Sequence, residues 1–419
     1  MSALQTRFTP VSALGDLPSL SAITFAPARL ALAQLLVAFS FVWPFFNYDV
    51  VDPGNTTEIN FLPVFLAALL LPEVTLREKR SLMLAMPVFA VALLWANPAA
   101  PLRLAMGIVP LHFVLNLAHR LRAQGRSLLP PGLAYRVLQI FVAFCILQIV
   151  QCYLFPVIPE WLTAALTQIL PRYSGMPYDE YGVRGVQGWA SEPSGAAVTC
   201  LAFSMVAIME RPDRRWRVLA IYSVLVLVNR SVYAWILAIL LGISCLAAAK
   251  RKFKSYLVLA PMSVAAILYI VLSNRIGELR DNILVSGVSG VDNRDLTRLV
   301  QIFSPLQQFP LIYKPVILKF EGLFMTMEPM GLIPLVIGYG SVFGLIWLVY
   351  MMRRNWPSAK VPQRPMALLA AFVLLMMTAP DLIPSVVALA VCLVPMAAQS
   401  ASGKPSSSRV ELFRIGGAP

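Results

Sequence analysis

The sequence predicts an all-α membrane protein, a polytopic helical bundle of about 12 spans with two long loops on one face. Three observations predict it. Hydrophobic residues make up 58% of the chain and charged residues 13%, about half the charged share of an ordinary soluble domain, and the mean hydropathy is +0.73. The lysines and arginines behind the net charge of +14 stand in clusters between apolar segments, as orientation by basic cytoplasmic loops requires. Charge placed this way orients helices and gives no nucleic-acid-binding face. The third observation is Val218–Ala249, almost unbroken apolar sequence interrupted by Asn229-Arg230-Ser231. One crossing takes about 20 residues, so this run is long for one span and short for two full ones. Arg211, Arg214, Arg215 and Arg217 precede it and Lys250, Arg251, Lys252 and Lys254 follow it, which puts both ends on the cytoplasmic side. The run therefore crosses and returns. Arms of about 15 residues rise about 23 Å, less than a ~30 Å hydrocarbon core, so Arg230 is expected in or just under the far interface. An arginine at the bilayer centre costs about 2.5 to 3.5 kcal/mol and less near the edge, which makes Arg230 a functional candidate.

In chain order the spans are expected near 28–47, 60–72, 81–96, 102–118, 134–156, 195–209, 218–229, 232–249, 255–273, 329–351, 365–380 and 383–398. Both termini are then cytoplasmic. The inside loops carry Arg77, Lys79 and Arg80, then Arg120, Arg122 and Arg126, then the two clusters already named, and finally Arg353, Arg354, Lys360 and Arg364. Residues 1–27 form a cytoplasmic tail with no apolar core followed by a cleavage site, so the first span is expected to serve as the insertion signal. Residues 28–398 are the transmembrane domain, and residues 399–419, rich in Ser, Gly and Pro, are expected to be a disordered cytoplasmic tail. Cys145, Cys152, Cys200, Cys245 and Cys392 fall in or at the edge of apolar segments without metal or redox spacing, which predicts packing roles. His112 and His119 are the only histidines, so no His-rich zinc site and no metal ligands are expected. His112, inside the fourth span, is expected to be a hydrogen-bonded packing residue.

The two long outer loops span 157–194 and 274–328. In the first, PEWLTAALTQILP places Trp161, Leu162, Ala165, Leu166, Ile169 and Leu170 on one helical face between Pro159 and Pro171, predicting a short interfacial helix, either a platform beside a lipid substrate or a plain connector. The following PRYSGMPYDEYGVRGVQGWASEPSGAA holds glycines, Tyr181, Trp189, Arg184 and Glu192. Aromatic rings stack on sugar faces and arginine forks bind phosphate oxygens, so this loop suits a carbohydrate or diphosphate. The alternative is an ordinary surface loop in which Glu192-Pro193-Ser194 starts the next helix. In the second loop, SGVDNRDLTRLVQIF spaces Arg294 and Arg298 four apart, on one face of a helix with Asp292 as its N-cap. Both guanidinium groups can then grip a diphosphate, or Asp295 and Arg298 simply form a solvated pair. Glu328, in MEPMGLIP, is a further acid at the outer interface, functional or merely hydrated. Asp381 is expected in the outer turn between the last two spans.

Taken in order, VNRSVYAW at the tip of a short hairpin, MEPMGLIPLVIGYGSVFG before a Gly-rich span and RGVQGWASEPSGAA ahead of another resemble the O-antigen and exopolysaccharide polymerase/ligase superfamily, over roughly residues 28 to 398. The Arg-Gly followed by Glu-Pro-Ser is similar to the exopolysaccharide repeat-unit polymerases in particular. At the position of Glu328 the ligase branch usually has histidine, so the resemblance favours a polymerase over a ligase. It implies a GT-C-like membrane glycosyltransferase bundle in the bacterial inner membrane, with its site at the periplasmic face. The implied reaction moves a glycan from undecaprenyl diphosphate to a sugar hydroxyl of another lipid-linked repeat unit, with inversion and without a cofactor. Implied partners are the undecaprenyl-diphosphate-linked oligosaccharide, the bilayer, a polysaccharide co-polymerase and a flippase, with no nucleic acid. Arg184, Arg230, Arg294 and Arg298 would stabilise the departing diphosphate. Glu192 is the first choice for the general base and Glu328 the second. A lipid-linked sugar flippase or secondary transporter is the alternative class, although no repeated halves are visible.

The hairpin makes a direct prediction. A cysteine at Ser231→Cys is expected to react with a membrane-impermeant thiol reagent from the periplasm, or to be protected there by substrate. One at Ser255→Cys should react only after permeabilisation. Labelling of both from one side would break the hairpin.

Overall fold

The computed structural model describes residues 27–43, 47–48, 57–58, 62–76, 78–93, 100–154, 178–179, 182–183, 186, 188–190, 193–229, 232–248, 332–356, 364–376 and 382–401. These residues are almost entirely helical. The helices are α1 (Pro27–Val42), α2 (Leu62–Leu70), α3 (Pro72–Thr75), α4 (Lys79–Leu93), α5 (Ala100–Ala123), α6 (Leu133–Leu154), α7 (Pro193–Glu210), α8 (Arg215–Asn229), α9 (Val232–Ala247), α10 (Leu332–Asn355), α11 (Arg364–Met376) and α12 (Leu382–Ala401). Two antiparallel ladders of two residues each complete the described elements, β1 (Asn47–Tyr48) with β2 (Thr57–Glu58) and β3 (Tyr178–Asp179) with β4 (Gly182–Val183).

Every expected span except 255–273 coincides with a described helix, and 255–273 lies outside the described residues. Two segments, Leu104–Ala123 and Leu133–Val150, are long and apolar enough to cross a membrane. The expected interfacial helix at 159–171 also lies outside the described residues. So do the whole second loop, Asp381, residues 1–26 and residues 402–419. The last helix continues past Gln399 to Ala401, so the segment expected to be disordered begins as helix.

Local sequence explains most of the boundaries. Proline opens α1, α3, α7 and the 3₁₀ turn Pro212–Arg214, because its fixed φ suits the first turn and its missing N–H has no helical partner to lose there. Pro87 in α4 and Pro110 in α5 sit inside helices, a placement that packed apolar helices tolerate better than exposed ones. The expected hairpin is present as α8 and α9, with 230–231 between them.

The helices run alternately between two ends. One end is basic and is fastened by polar contacts. Arg354 pairs with Glu78 at 2.9 Å, and the Tyr350 hydroxyl donates to the same carboxylate at 3.0 Å. His119 Nε2 lies 2.8 Å from Asn355 Oδ1. The Gly132 N–H donates to Glu210 at 3.0 Å, and Arg215 donates to the Ala248 carbonyl at 3.3 Å. Between the ends the core is apolar. α4 lies along α10, α12 fits among α5, α7 and α11, and α6, α7 and α8 pack on one another. Gly340 gives α10 the clearance to close on Val88 of α4. The four cysteines within the described side chains, Cys145, Cys200, Cys245 and Cys392, are buried free thiols, as their apolar surroundings predict.

The outward faces are apolar as well. Leu69 is 74% exposed, Met86 70% and Leu35 63%. Only 39% of the Leu133–Val150 segment of α6 is buried, whereas the apolar core helix of a water-soluble protein is covered along most of its length.

Candidate functional site

At the end of the bundle opposite the basic clusters, one short segment of the first long loop is seated against three helices. Gln148, near the end of α6, is buried in otherwise apolar sequence. Its side-chain amide donates to the Gly188 carbonyl at 3.1 Å and its carbonyl accepts the Gly188 N–H at 2.8 Å. One side chain thus satisfies both backbone groups of one loop residue, as a neighbouring strand would. Asn229, the last residue of α8, donates to the Val186 carbonyl at 2.8 Å. Gly188 has φ +64°, a left-handed conformation open to glycine at little cost. A side chain there would also collide with Phe141, whose Cζ lies 2.5 Å from an ideal Cβ, and with Cys145.

Trp189 follows. The sequence suggests an indole exposed to stack on a sugar, but the structure places it inside, 8% exposed. Phe141 meets it edge-on at 4.4 Å, Phe144 at 5.7 Å, and Trp43 at the end of α1 is stacked at 6.2 Å between centroids. With its faces taken by neighbours, the ring anchors the loop and offers no open platform. Its Nε1–H has no hydrogen-bond partner among the described residues, although a buried indole usually finds one.

The remaining sequence candidates, Glu192, Glu328, Arg230, Arg184, Arg294, Arg298 and Tyr181, lie outside the described residues. Three of them are chain neighbours of the seated segment. Arg230 follows Asn229, Arg184 precedes Val186 by two residues, and Glu192 comes just before Pro193, the start of α7. Glu328, Arg294 and Arg298 have no comparable described neighbour.

A second polar cluster lies toward the basic end. His112 on α5 is 2% exposed. Its Nε2 lies 2.8 Å from the Thr75 carbonyl and its Nδ1 3.1 Å from the Ser81 hydroxyl. Nε2 also lies 3.1 Å from the Asn116 side-chain amide and the Ser81 hydroxyl lies 3.0 Å from Met351 Sδ, so the donor and acceptor roles of the two ring nitrogens depend on the tautomer. The Ser81 oxygen in turn accepts from the Trp347 indole at 3.2 Å. This closed network holds α4, α5 and α10 together, and His112 is the packing residue that the sequence suggests.

No protein-family model matches the chain, and no curated protein sequence matches it.

Sequence reasoning passed over Gln148, Gly188 and the amide of Asn229. The available signal was an amide residue inside an apolar span, which needs a partner wherever it is buried. Gly188→Ala is expected to lower the melting temperature of the detergent-solubilised protein clearly more than Gly125→Ala. Both glycines have left-handed φ, worth about 1 to 2 kcal/mol, but nothing lies within 4 Å of a Cβ at Gly125. Only the first substitution adds overpacking of about 1 to 3 kcal/mol. Equal melting temperatures would show that the contact with Phe141 is not tight.

Proposed function

We propose that the chain is a bacterial inner-membrane polysaccharide polymerase, which extends a lipid-linked glycan at the periplasmic face. The observation that carries this reading is the junction at the non-basic end, where Gln148 and Asn229 hold the first long loop against α6 and α8. That junction gathers the chain neighbours of Arg184, Glu192 and Arg230 away from the end that basic residues would keep in the cytoplasm. The lipid-suited outward faces of α1, α2, α4 and α6 support the membrane reading. Connectivity supports it too. α9 finishes at the basic end and α10 starts at the other, which suits the crossing proposed at 255–273.

The chemistry is a single displacement at an anomeric carbon. The acceptor sugar's hydroxyl oxygen forms the new bond to that carbon as the bond to the diphosphate oxygen breaks. The hydroxyl proton passes to a carboxylate, Glu192 in the first instance and Glu328 in the second. The lipid diphosphate leaves with the electron pair, and its growing charge is met by arginine forks at Arg184, Arg230, Arg294 and Arg298. Inversion follows because one activated bond is consumed without an enzyme nucleophile.

Purified protein incubated with undecaprenyl-diphosphate-linked repeat units is the direct test. A ladder of longer glycans supports the proposal. Transfer only to a lipid A core acceptor, or movement across vesicles without bond formation, replaces it with a ligase or a transporter.

Arg230→Lys is expected to lose most of the activity although it keeps the charge, because an ammonium cannot hold two diphosphate oxygens as a planar fork does. Near wild-type polymer from this variant would reduce Arg230 to a packing or electrostatic part. Glu192→Gln is expected to abolish chain growth, by about 10²- to 10⁴-fold in rate, while lipid-linked substrate still binds, and Glu328→Gln to be impaired less. Rates and substrate affinities measured for both variants decide between them. An active Glu192→Gln beside a dead Glu328→Gln reverses the assignment, and two active variants remove carboxylate base catalysis.

A further inference from the structure

A second place in the molecule is built for an anion, and it lies at the basic end, away from the proposed glycan site. Where α6 begins and α7 ends, Gly132, Tyr135, Arg136, Glu210, Arg211 and Arg214 line a cleft of about 130 Å³. That is room for about four waters, or for one tetrahedral oxyanion.

The arginines here differ from others at the same end. Arg354 is paired with Glu78, Arg126 donates to Gln34 and Arg215 donates to the Ala248 carbonyl. Among the described residues, Arg136, Arg211 and Arg214 form no ion pair. They come from two separate elements, the first turn of α6 and the connection from α7 to α8, and they meet across a cavity. The one carboxylate in the cleft, Glu210, is already committed through Oε2 to the Gly132 N–H at 3.0 Å. Three arginines and one carboxylate therefore line the cleft. The Arg214 guanidinium lies 5.8 Å from the centre of the Tyr135 ring, a cation–π contact that holds the fork in place. Positive-inside orientation explains basic residues in this loop, but it does not require that they converge on a cavity.

We propose that this cleft binds a phosphate group, carried either by an anionic phospholipid headgroup of the adjoining leaflet or by a soluble phosphate. Forked N–H donors match phosphate oxygens in pairs, and basic pockets between helices on the cytoplasmic side are where anionic headgroups dock. The lipid source rests on the membrane reading proposed above, while the phosphate chemistry rests on the cleft alone. An occupant would brace the junction of α6, α7 and α8. Two of these helices carry Gln148 and Asn229 at their far ends.

The test needs no enzymatic activity, so it separates from the test of polymerase function. Full-length protein in neutral detergent is titrated with phosphatidylglycerol, phosphatidylcholine or inorganic phosphate at constant ionic strength. Melting temperature is followed, and retained lipids are counted by native mass spectrometry. Phosphatidylglycerol is expected to raise the melting temperature and leave one retained molecule, phosphatidylcholine to do neither, and Arg211→Gln and Arg214→Gln each to weaken binding about tenfold. Arg353→Gln, at the same end but outside the cleft, is expected to bind as wild type does. An equal response to inorganic phosphate alone assigns the cleft to a soluble phosphate. Should either variant become unstable, Arg211→Lys and Arg214→Lys keep the charge, and both are expected to bind more weakly than Arg353→Lys. Equal stabilisation by phosphatidylcholine, or undiminished phosphatidylglycerol binding in the Arg211 and Arg214 variants, would overturn the proposal.

Discussion

An apolar interior leaves no water for stray polar groups, and this constraint decides where the bundle can carry chemistry. Three serines within the helices meet it locally. Ser204, Ser223 and Ser244 each donate to the carbonyl four residues back at 2.7, 2.7 and 2.8 Å, a bond that needs no neighbouring helix. Amides cannot do this so easily, because they have two donors and an acceptor to satisfy. Gln148 therefore waits near a helix end, where a loop backbone can meet both of its functions, and Asn229 stands at the last position of α8 for the same reason.

The loop gains from this arrangement as much as the helices do. The Val186 carbonyl and both backbone groups of Gly188 are taken by side chains from two different helices, so the segment is held without any sheet of its own. Trp189 then adds apolar burial against Phe141, Phe144 and Trp43, and the left-handed Gly188 lets the chain turn between these two kinds of anchor. In the polymerase proposed above, this loop would have to hold its acid and arginine close to the reacting atoms. Seating the loop from both sides is a way to do so at a membrane surface, where regular structure is scarce.

The helical order was legible because it depends on local patterning. Apolar runs bounded by basic clusters place every described helix except the short α3 to within a few residues, and Asn229-Arg230-Ser231 marks the break between α8 and α9. The isolated histidine in an apolar span reads correctly as a packing residue, since such a group survives burial only when both nitrogens are matched. The junction was not legible. Gln148 and Gly188 are separated by the long outer loop, and no periodicity reveals which carbonyl a buried amide will meet. Trp189 misleads for a related reason. Its Gly-rich neighbourhood looks exposed, but exposure depends on Phe141 and Trp43, which are remote in sequence.

The distribution of polar groups also bears on the choice between a transferase and a transporter. A transporter needs its substrate site near the bilayer midplane, where discontinuous helices turn their ends toward the ligand. Among the described residues, Ser204, Ser223 and Ser244 fold back on their own backbones. The cluster of His112, Ser81 and Asn116 bonds across helices, but both ring nitrogens of His112 are engaged and it is 2% exposed, so it faces no open passage. The unpaired arginines and the pinned loop lie instead at the two ends. An enzyme acting on a lipid-linked glycan needs this distribution, because the diphosphate stays at the interface while the prenyl chain stays among lipid tails. A site at the surface can then exchange sugars without opening a path through the core.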